Sequence, residues 1–318
     1  MPKGSVSLGI EFDTQAIRAA RIRFGKPGFT TIGTPFIESL TEVTGTFTTD
    51  EAILAGLKNI RQHLPLPSVE TIVTCVGGKY VYVAQLTFRK LPDDEMKNAL
   101  KLELRKNLPF DTGNTTIDYQ YLTQPQRKTD TAQVIATVVA TPYLQRQLGI
   151  FEKAGIPPNI IDVFPLTVVN AFLLDRSNLE KSDRGRIVLH IGPDFSTIVI
   201  EGSEVPFFTR MIYFNAAALY DKPLENTGGA PDPYNTITTF AHEITRSIVY
   251  YETTFHSAIA AEITVLGSYA IPSLLTEIGR ITGLTVIQLD LVKRFESKQT
   301  AVTGRFDIAV SLAMRGIQ

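Results

Sequence analysis

The residues best placed to do chemistry lie in the stretch IVLHIGPDFSTIVIEG, Ile187 to Gly202. Two β-branched runs flank a turn holding Gly192, Pro193 and Asp194, the composition of a hairpin. A glycine at such a turn lets backbone N–H groups come close to an anion, so the turn suits a phosphate. His190 stands on the first strand where a carboxylate would hold a metal; a histidine in an apolar strand is expected to be neutral and hydrogen-bonded in the core. Other candidates fall away on spacing. His63, His242 and His256 are scattered without the intervals of a zinc site. The GGKY of Gly77–Tyr80 lacks the upstream glycine and the following Ser or Thr of a P-loop. Cys75, in ETIVTCVGG, reads as a small buried hydrophobe, and no nucleophile elbow occurs.

The elements that must position these residues alternate between strand and helix. Strand-like runs fall at Ser5–Phe12, Ile17–Arg23, Thr71–Val76, Tyr80–Phe88, Thr115–Leu122, Gln133–Ala140, Ile187–Ile191, Thr197–Glu201 and Glu262–Leu266. The clearest helix is LPDDEMKNALKLELRKNLPF. Pro92 and three acids open it, Met96, Ala99, Leu100 and Leu104 make an apolar stripe, and Arg105 and Lys106 close it, in agreement with the helix dipole. A second, TITTFAHEITRSIVYYETTF, places Ile237, Phe240, Ile244, Ile248, Tyr251 and Phe255 along one side. Between Asp221 and Asn235 the Gly- and Pro-rich DKPLENTGGAPDPYN reads as a loop, of a length at which lids occur. The basic run RIRFGKPGF reads as a hairpin with a solvated turn.

Composition sets the frame. At 318 residues the chain suggests two domains or one divided into lobes, and 44% hydrophobic with 20% charged residues describes an ordinary globular protein. A net charge of −1 offers no general attraction to nucleic acid or anionic lipid. One cysteine excludes an internal disulfide and fits a reducing compartment. The start, MPKGSVSLGIEFD, has no apolar signal core, and no apolar run is long enough for a bilayer span, so a cytoplasmic location is expected. SLGIEFDTQAIRAARI near the start repeats the plan of the second-half hairpin: apolar strand, polar turn, apolar strand. Two related lobes would set these hairpins face to face across a cleft.

The order of the segments LGIEFDTQAIRAARI, LPDDEMKNALKLELRKNLPFD, VVATPYLQRQLGIFEKAGIPPNIIDVFPLTVVNAF, IVLHIGPDFSTIVIEG, EITRSIVYYE, ITVLGSYAIPSLLTEI and FDIAVSLAMRG resembles the actin-like proteins. Within them it resembles the PilM family of type IV pilus assembly, relatives of the division protein FtsA. The resemblance implies an α/β, actin-like (ribonuclease H-like) two-lobe fold with a small inserted α+β subdomain. The first lobe would span 1–78 and be completed by 155–185, the insert 79–154, and the second lobe 186–318.

In that family a first phosphate hairpin carries Asp, a Gly two positions on and a Lys seven positions on; the matching residues here are Glu11, Asp13 and Arg18. Carboxylate and cation persist in kind, while the glycine has become an acid. The second hairpin carries Asp, Gly and a hydroxyl residue, matched by His190, Gly192 and Ser196. The adenosine turn, usually paired glycines, reads Gly267-Ser268. Magnesium prefers hard oxygen ligands, which His190 does not supply. Asp13 would repel a phosphate by roughly 4 kcal/mol at about 4 Å and an effective dielectric near 20. Arg18 takes either a phosphate role or that of an exposed strand residue.

Three readings follow. In the first the chain is a cytoplasmic actin-fold scaffold with degenerate nucleotide-binding motifs, no catalytic residue and no metal site. The resemblance implies that it then binds the cytoplasmic N-terminal tail of a PilN-like inner-membrane protein, in a groove between first lobe and insert, beside other pilus assembly components. In the second it is an ATP- and Mg-binding switch or ATPase of the pilus machine. In the third it is the cytoplasmic domain of a related type II secretion protein, which the ending LAMRGIQ, with no anchor after it, disfavours.

Overall fold

The computed structural model describes residues 6–24, 35–64, 71–89, 91–105, 113–122, 131–176, 183–202, 204–220, 233–297 and 304–317, together with 108 and 110. Elements run in the order β1 (Val6–Phe12), β2 (Ala16–Phe24), β3 (Pro35–Thr44), α1 (Asp50–His63), β4 (Thr71–Val76), β5 (Val81–Arg89), α2 (Asp93–Leu104), β6 (Thr115–Tyr121), β7 (Thr131–Ala140), α3 (Thr141–Ala154), β8 (Ile160–Val163) and α4 (Phe164–Asp175). They continue with β9 (Gly185–Ile191), β10 (Phe195–Glu201), β11 (Phe208–Tyr213), α5 (Ala216–Tyr220), α6 (Pro233–Phe255), β12 (Ile259–Leu266), α7 (Pro272–Thr282), β13 (Thr285–Gln288), β14 (Glu296–Ser297) and α8 (Asp307–Arg315).

Among the described residues the strands form three sheets, ordered β14-β3-β2-β1-β4-β8, β11-β10-β9-β12-β13 and β5-β7-β6. The first two share one plan. A meander of three antiparallel strands, β1-β2-β3 or β9-β10-β11, is extended by parallel strands beside its first member. The fold is actin-like, and the two opening hairpins are its equivalent parts. The third sheet is inserted between β4 and β8, where α2 lays Met96, Leu100 and Leu104, all buried, against Val134, Ala136 and Val138 of β7.

The expected stripe on α6 is present: Phe240, Ile244, Ile248 and Tyr251 are buried, with Ile237 and Phe255 packed beside them. The expected loop 221–235 needs correction at its end, because Pro233 to Asn235 already form the first turn of α6, where a proline loses no helical hydrogen bond. The rest of that loop, the turn after RIRF and Lys106 lie outside the described residues.

Residues 296–318 are expected with the second lobe, whereas β14 and α8, at 296–297 and 307–315, lie with the first sheet. β14 pairs with β3, and α8 lies on β1 and β2. Gly9 makes that approach possible, since a Cβ there would stand 2.1 Å from the Ala309 carbonyl oxygen of α8. Helices α4 and α8 then share one apolar core with both large sheets, in which Ala20 and Val73 of the first and Val188 and Val199 of the second are buried. Among the described residues no helix is long and apolar enough to cross a membrane.

Candidate functional site

Between the two opening hairpins lies a cavity of about 300 Å³, at the lower end of ligand-sized pockets. Of the residues singled out in the sequence, Glu11, Asp13, Arg18, His190, Gly192, Gly267 and Ser268 line it. Ser196 does not; its side chain is buried in the sheet and its Oγ has no hydrogen-bond partner among the described residues. The structure therefore brings both hairpins and the Gly267 turn to one place.

The first hairpin is closed by its own side chain. Asp13 sits at the end of β1, and its N–H donates to the Ala16 carbonyl across the turn at 2.9 Å. Its Oδ1 accepts from the backbone N–H groups of Gln15, at 2.7 Å, and of Ala16, at 2.8 Å. Its Oδ2 accepts from Arg18 Nη1 at 2.8 Å. The carboxylate thus takes the turn amides and the guanidinium together, the donors that would otherwise face an anion.

Arg18 is buried, 5% exposed, so the expectation of an exposed strand residue is overturned. Desolvation of a guanidinium requires compensation, and the carboxylates of Asp13 and Glu42 supply it, with the carboxyl group of Glu11 beside them. Besides Asp13, Nε donates to Glu42 at 2.7 Å and Nη1 stands 3.6 Å from Glu11. Arg305 meets the other Glu42 oxygen at 3.4 Å. Glu11 is the weakest of the three contacts. Burial pushes its pKa up to about 8, against the pull of Arg18 and with the help of Asp13 and Asp307, so it is mainly protonated at neutral pH.

On the second hairpin His190 is buried and neutral as expected: burial brings its pKa down to about 4. It differs from expectation in having no hydrogen-bond partner for Nδ1 among the described residues, and its ring meets Phe164 edge-on at 4.8 Å. Gly267 packs against the same ring. Its φ is +110°, and a Cβ would lie 2.5 Å from the Ile191 carbonyl oxygen and 3.0 Å from His190 Nε2. Cys75, partly buried, packs against the shared core, and burial raises its thiol pKa.

Several contributors were not legible beforehand. Thr14 Oγ1 donates to Asp194, and Tyr269 donates to Gln15 Oε1 at 2.9 Å, so the first hairpin's turn meets both the second hairpin's turn and the Gly267 turn beside the cavity. The rejected GGKY stretch forms a 3₁₀ turn after β4, and all four of its residues line the cavity. Tyr80 stacks on Tyr143 at the start of α3, centroids 4.9 Å apart. That pair also walls a second cavity of about 390 Å³, lined by Phe110, Asn114, Ala140, Pro142 and Arg146, where the third sheet meets α3. The position of Thr14 in the hairpin turn was the one available signal; Glu42 and Tyr143 carried none.

The pattern of the family described as type IV pilus assembly protein PilM matches residues 9–222. Among solved structures, the PilM–PilN type IV pilus biogenesis complex is similar over 98% of this chain and 98% of the matched chain, with a TM-score of 0.80 and 17% identity. A Bacteroides thetaiotaomicron protein of actin-like ATPase fold and unknown function matches over 98% and 95%, with a TM-score of 0.51 and 11% identity. The ethanolamine utilization protein EutJ of Carboxydothermus hydrogenoformans matches over 99% and 90%, with a TM-score of 0.51 and 12% identity. No curated protein matches the chain.

Proposed function

The chain belongs to the PilM family of type IV pilus assembly proteins, and from that premise we propose that it is a cytoplasmic actin-fold scaffold that holds the N-terminal tail of a PilN-like inner-membrane protein. Its position at the membrane would come through that partner. The reading divides the molecule into a first lobe (1–78 with 155–185), an insert (79–154) and a second lobe from 186. β14 and α8, at 296–297 and 307–315, join the first lobe in this reading, because they pack there.

The observation that carries it is Asp13. Its carboxylate already takes the amides of Gln15 and Ala16 and the guanidinium of Arg18. A triphosphate would find those donors taken and a negative charge in their midst. A protonated Glu11 and a neutral His190 are poor magnesium ligands. The residues present do not fit a magnesium–nucleotide complex, and the ATPase reading loses support accordingly. Partner binding has no such requirement. An extended tail needs apolar pockets and a few polar anchors, and the cavity between the third sheet and α3 offers Tyr80, Phe110 and Tyr143 with Asn114 and Arg146.

The test is calorimetric titration with a synthetic peptide of the cognate PilN-like N-terminal tail, with and without Mg-ATP. Saturable binding is expected, unchanged by nucleotide, and weakened about tenfold or more by Tyr143→Ala, since truncating a buried aromatic anchor costs ~2 kcal/mol. Tail binding that appears only with Mg-ATP would overturn the scaffold reading in favour of a nucleotide switch.

A further inference from the structure

A larger cavity, about 850 Å³, opens on the other side of the insert, between the third sheet and the second. Tyr82, Val83, Ala84, Gln85, Leu86 and Thr87 line it in unbroken succession, and so do Pro206 to Arg210. Alternate side chains of a strand leave to opposite faces, so consecutive residues border one space only along the strand's edge. The sheet orders agree: β5 and β11 are the outer strands of their sheets, and among the described residues neither has a second ladder partner. The Phe207 N–H, just before β11, donates to Gln85 Oε1 of β5 at 2.6 Å.

The floor between the edges is aromatic and the rim cationic. Phe208 packs on Tyr250 at 5.7 Å and on Phe255 at 6.4 Å, and Tyr250 stays 53% exposed. Arg210 donates to Glu243 at 2.8 Å and to Ser247 at 3.1 Å, and Arg246 donates to the same Glu243. Two guanidiniums on one carboxylate leave a positive charge in excess, and the Arg246 side chain is 72% exposed. An exposed sheet edge is a template for another strand. The rim of β5, six residues at ~3.3 Å each, accepts a strand of about that length.

We propose that this groove binds an extended acidic peptide segment of a partner protein, which adds as a strand to β5 or β11 while its apolar side chains settle over Phe208 and Tyr250. The site is separate from the tail groove at α3 and does not depend on it.

The experiment uses fluorescence anisotropy with a labelled, capped nonapeptide of alternating valine and glutamate, its lysine counterpart, and a glutamate peptide N-methylated at every second residue. The glutamate peptide is expected to saturate, to bind about tenfold or more tightly than the lysine peptide, and to weaken by a similar factor in Arg246→Glu and on N-methylation. Arg246 is a solvent-facing helix residue, so that variant tests charge without threatening the fold. Equal binding of the two charge types, indifference to N-methylation, or no saturation at about 1 mM would overturn the proposal. A concentration-dependent homodimer that Arg246→Glu abolishes would also overturn it, assigning the groove to a second copy of the chain.

Discussion

Replacing Asp13 by glycine separates its two roles, as the anion that fills the first hairpin and as the partner that stabilises it. In the wild type its carboxylate accepts two amides and one guanidinium. Hydrogen bonds to a charged group contribute about 1.5–3 kcal/mol each. Because the two amides stay in a turn that water reaches, the net loss in Asp13→Gly should be about 2–3 kcal/mol. Arg18 keeps Glu42 at 2.7 Å and so is not stranded. The same change removes a repulsion on an incoming phosphate of up to ~4 kcal/mol at an effective dielectric near 20. Even a third of that is worth about tenfold in affinity.

The two readouts therefore move in opposite directions. Chemical denaturation should show Asp13→Gly less stable than wild type without ligand. Calorimetry should show that it binds ADP or ATP about tenfold or more tightly, and nucleotide should restore part of the lost stability by mass action. A variant that is merely damaged would lose stability and gain nothing. The reasoning is refuted if wild type binds Mg-ATP at micromolar concentration and Asp13→Gly weakens that binding, for Asp13 would then belong to the nucleotide site instead of standing in for its ligand.

Three further outcomes follow from the same site. Glu11 and Asp307 have folded pKa values of about 8 and about 7, above their ordinary 4.5 and 3.8, chiefly through burial. Each contributes most below its unfolded pKa and loses that contribution as pH rises through the folded one, so stability should fall between pH ~5 and ~8, and denaturation of Glu11→Gln should show a flatter alkaline limb. His190, lowered from 6.5 to about 4, works the other way and costs stability as pH falls through that interval. Gly267→Ala forces a Cβ to 2.5 Å from a carbonyl oxygen at a φ of +110°. It should cost more than about 2 kcal/mol by denaturant titration, and a loss under about 0.5 kcal/mol would mean that the turn relaxes freely.

How far the sequence reaches depends on where the physical cause lies. The hairpin strands were legible because each carries its own apolar pattern, and α2 and α6 because a buried stripe recurs at helical spacing. β3 was missed: Glu38 and Glu42 interrupt its apolar residues, and the structure explains them as partners of Arg18, Arg21 and Arg23 on β2. β8 and β13, four residues each, are too short to show a period. The state of Arg18 had no local sign, since Glu42 answers it from another strand. The docking of α8 on the first sheet is a tertiary fact, marked only by Gly9, whose reason emerges once the helix is beside it.

The mouth of the cavity bears on which functions are open to this molecule. Thr14–Asp194 ties the first hairpin's turn to the second hairpin's and Gln15–Tyr269 ties it to the Gly267 turn, and behind them α4 and α8 fix both sheets in one core. A ligand that must part the turns loses both bonds, about 1 kcal/mol or somewhat more each. That lowers its apparent affinity by one to two orders of magnitude, because only the opened fraction is competent. A peptide at the α3 groove or along the edges of β5 and β11 parts nothing, since both cavities already open outside the turns. With the phosphate donors satisfied internally and the turns tied, the energetics support the proposed reading, recognition on the outer grooves, over nucleotide entry at the cleft.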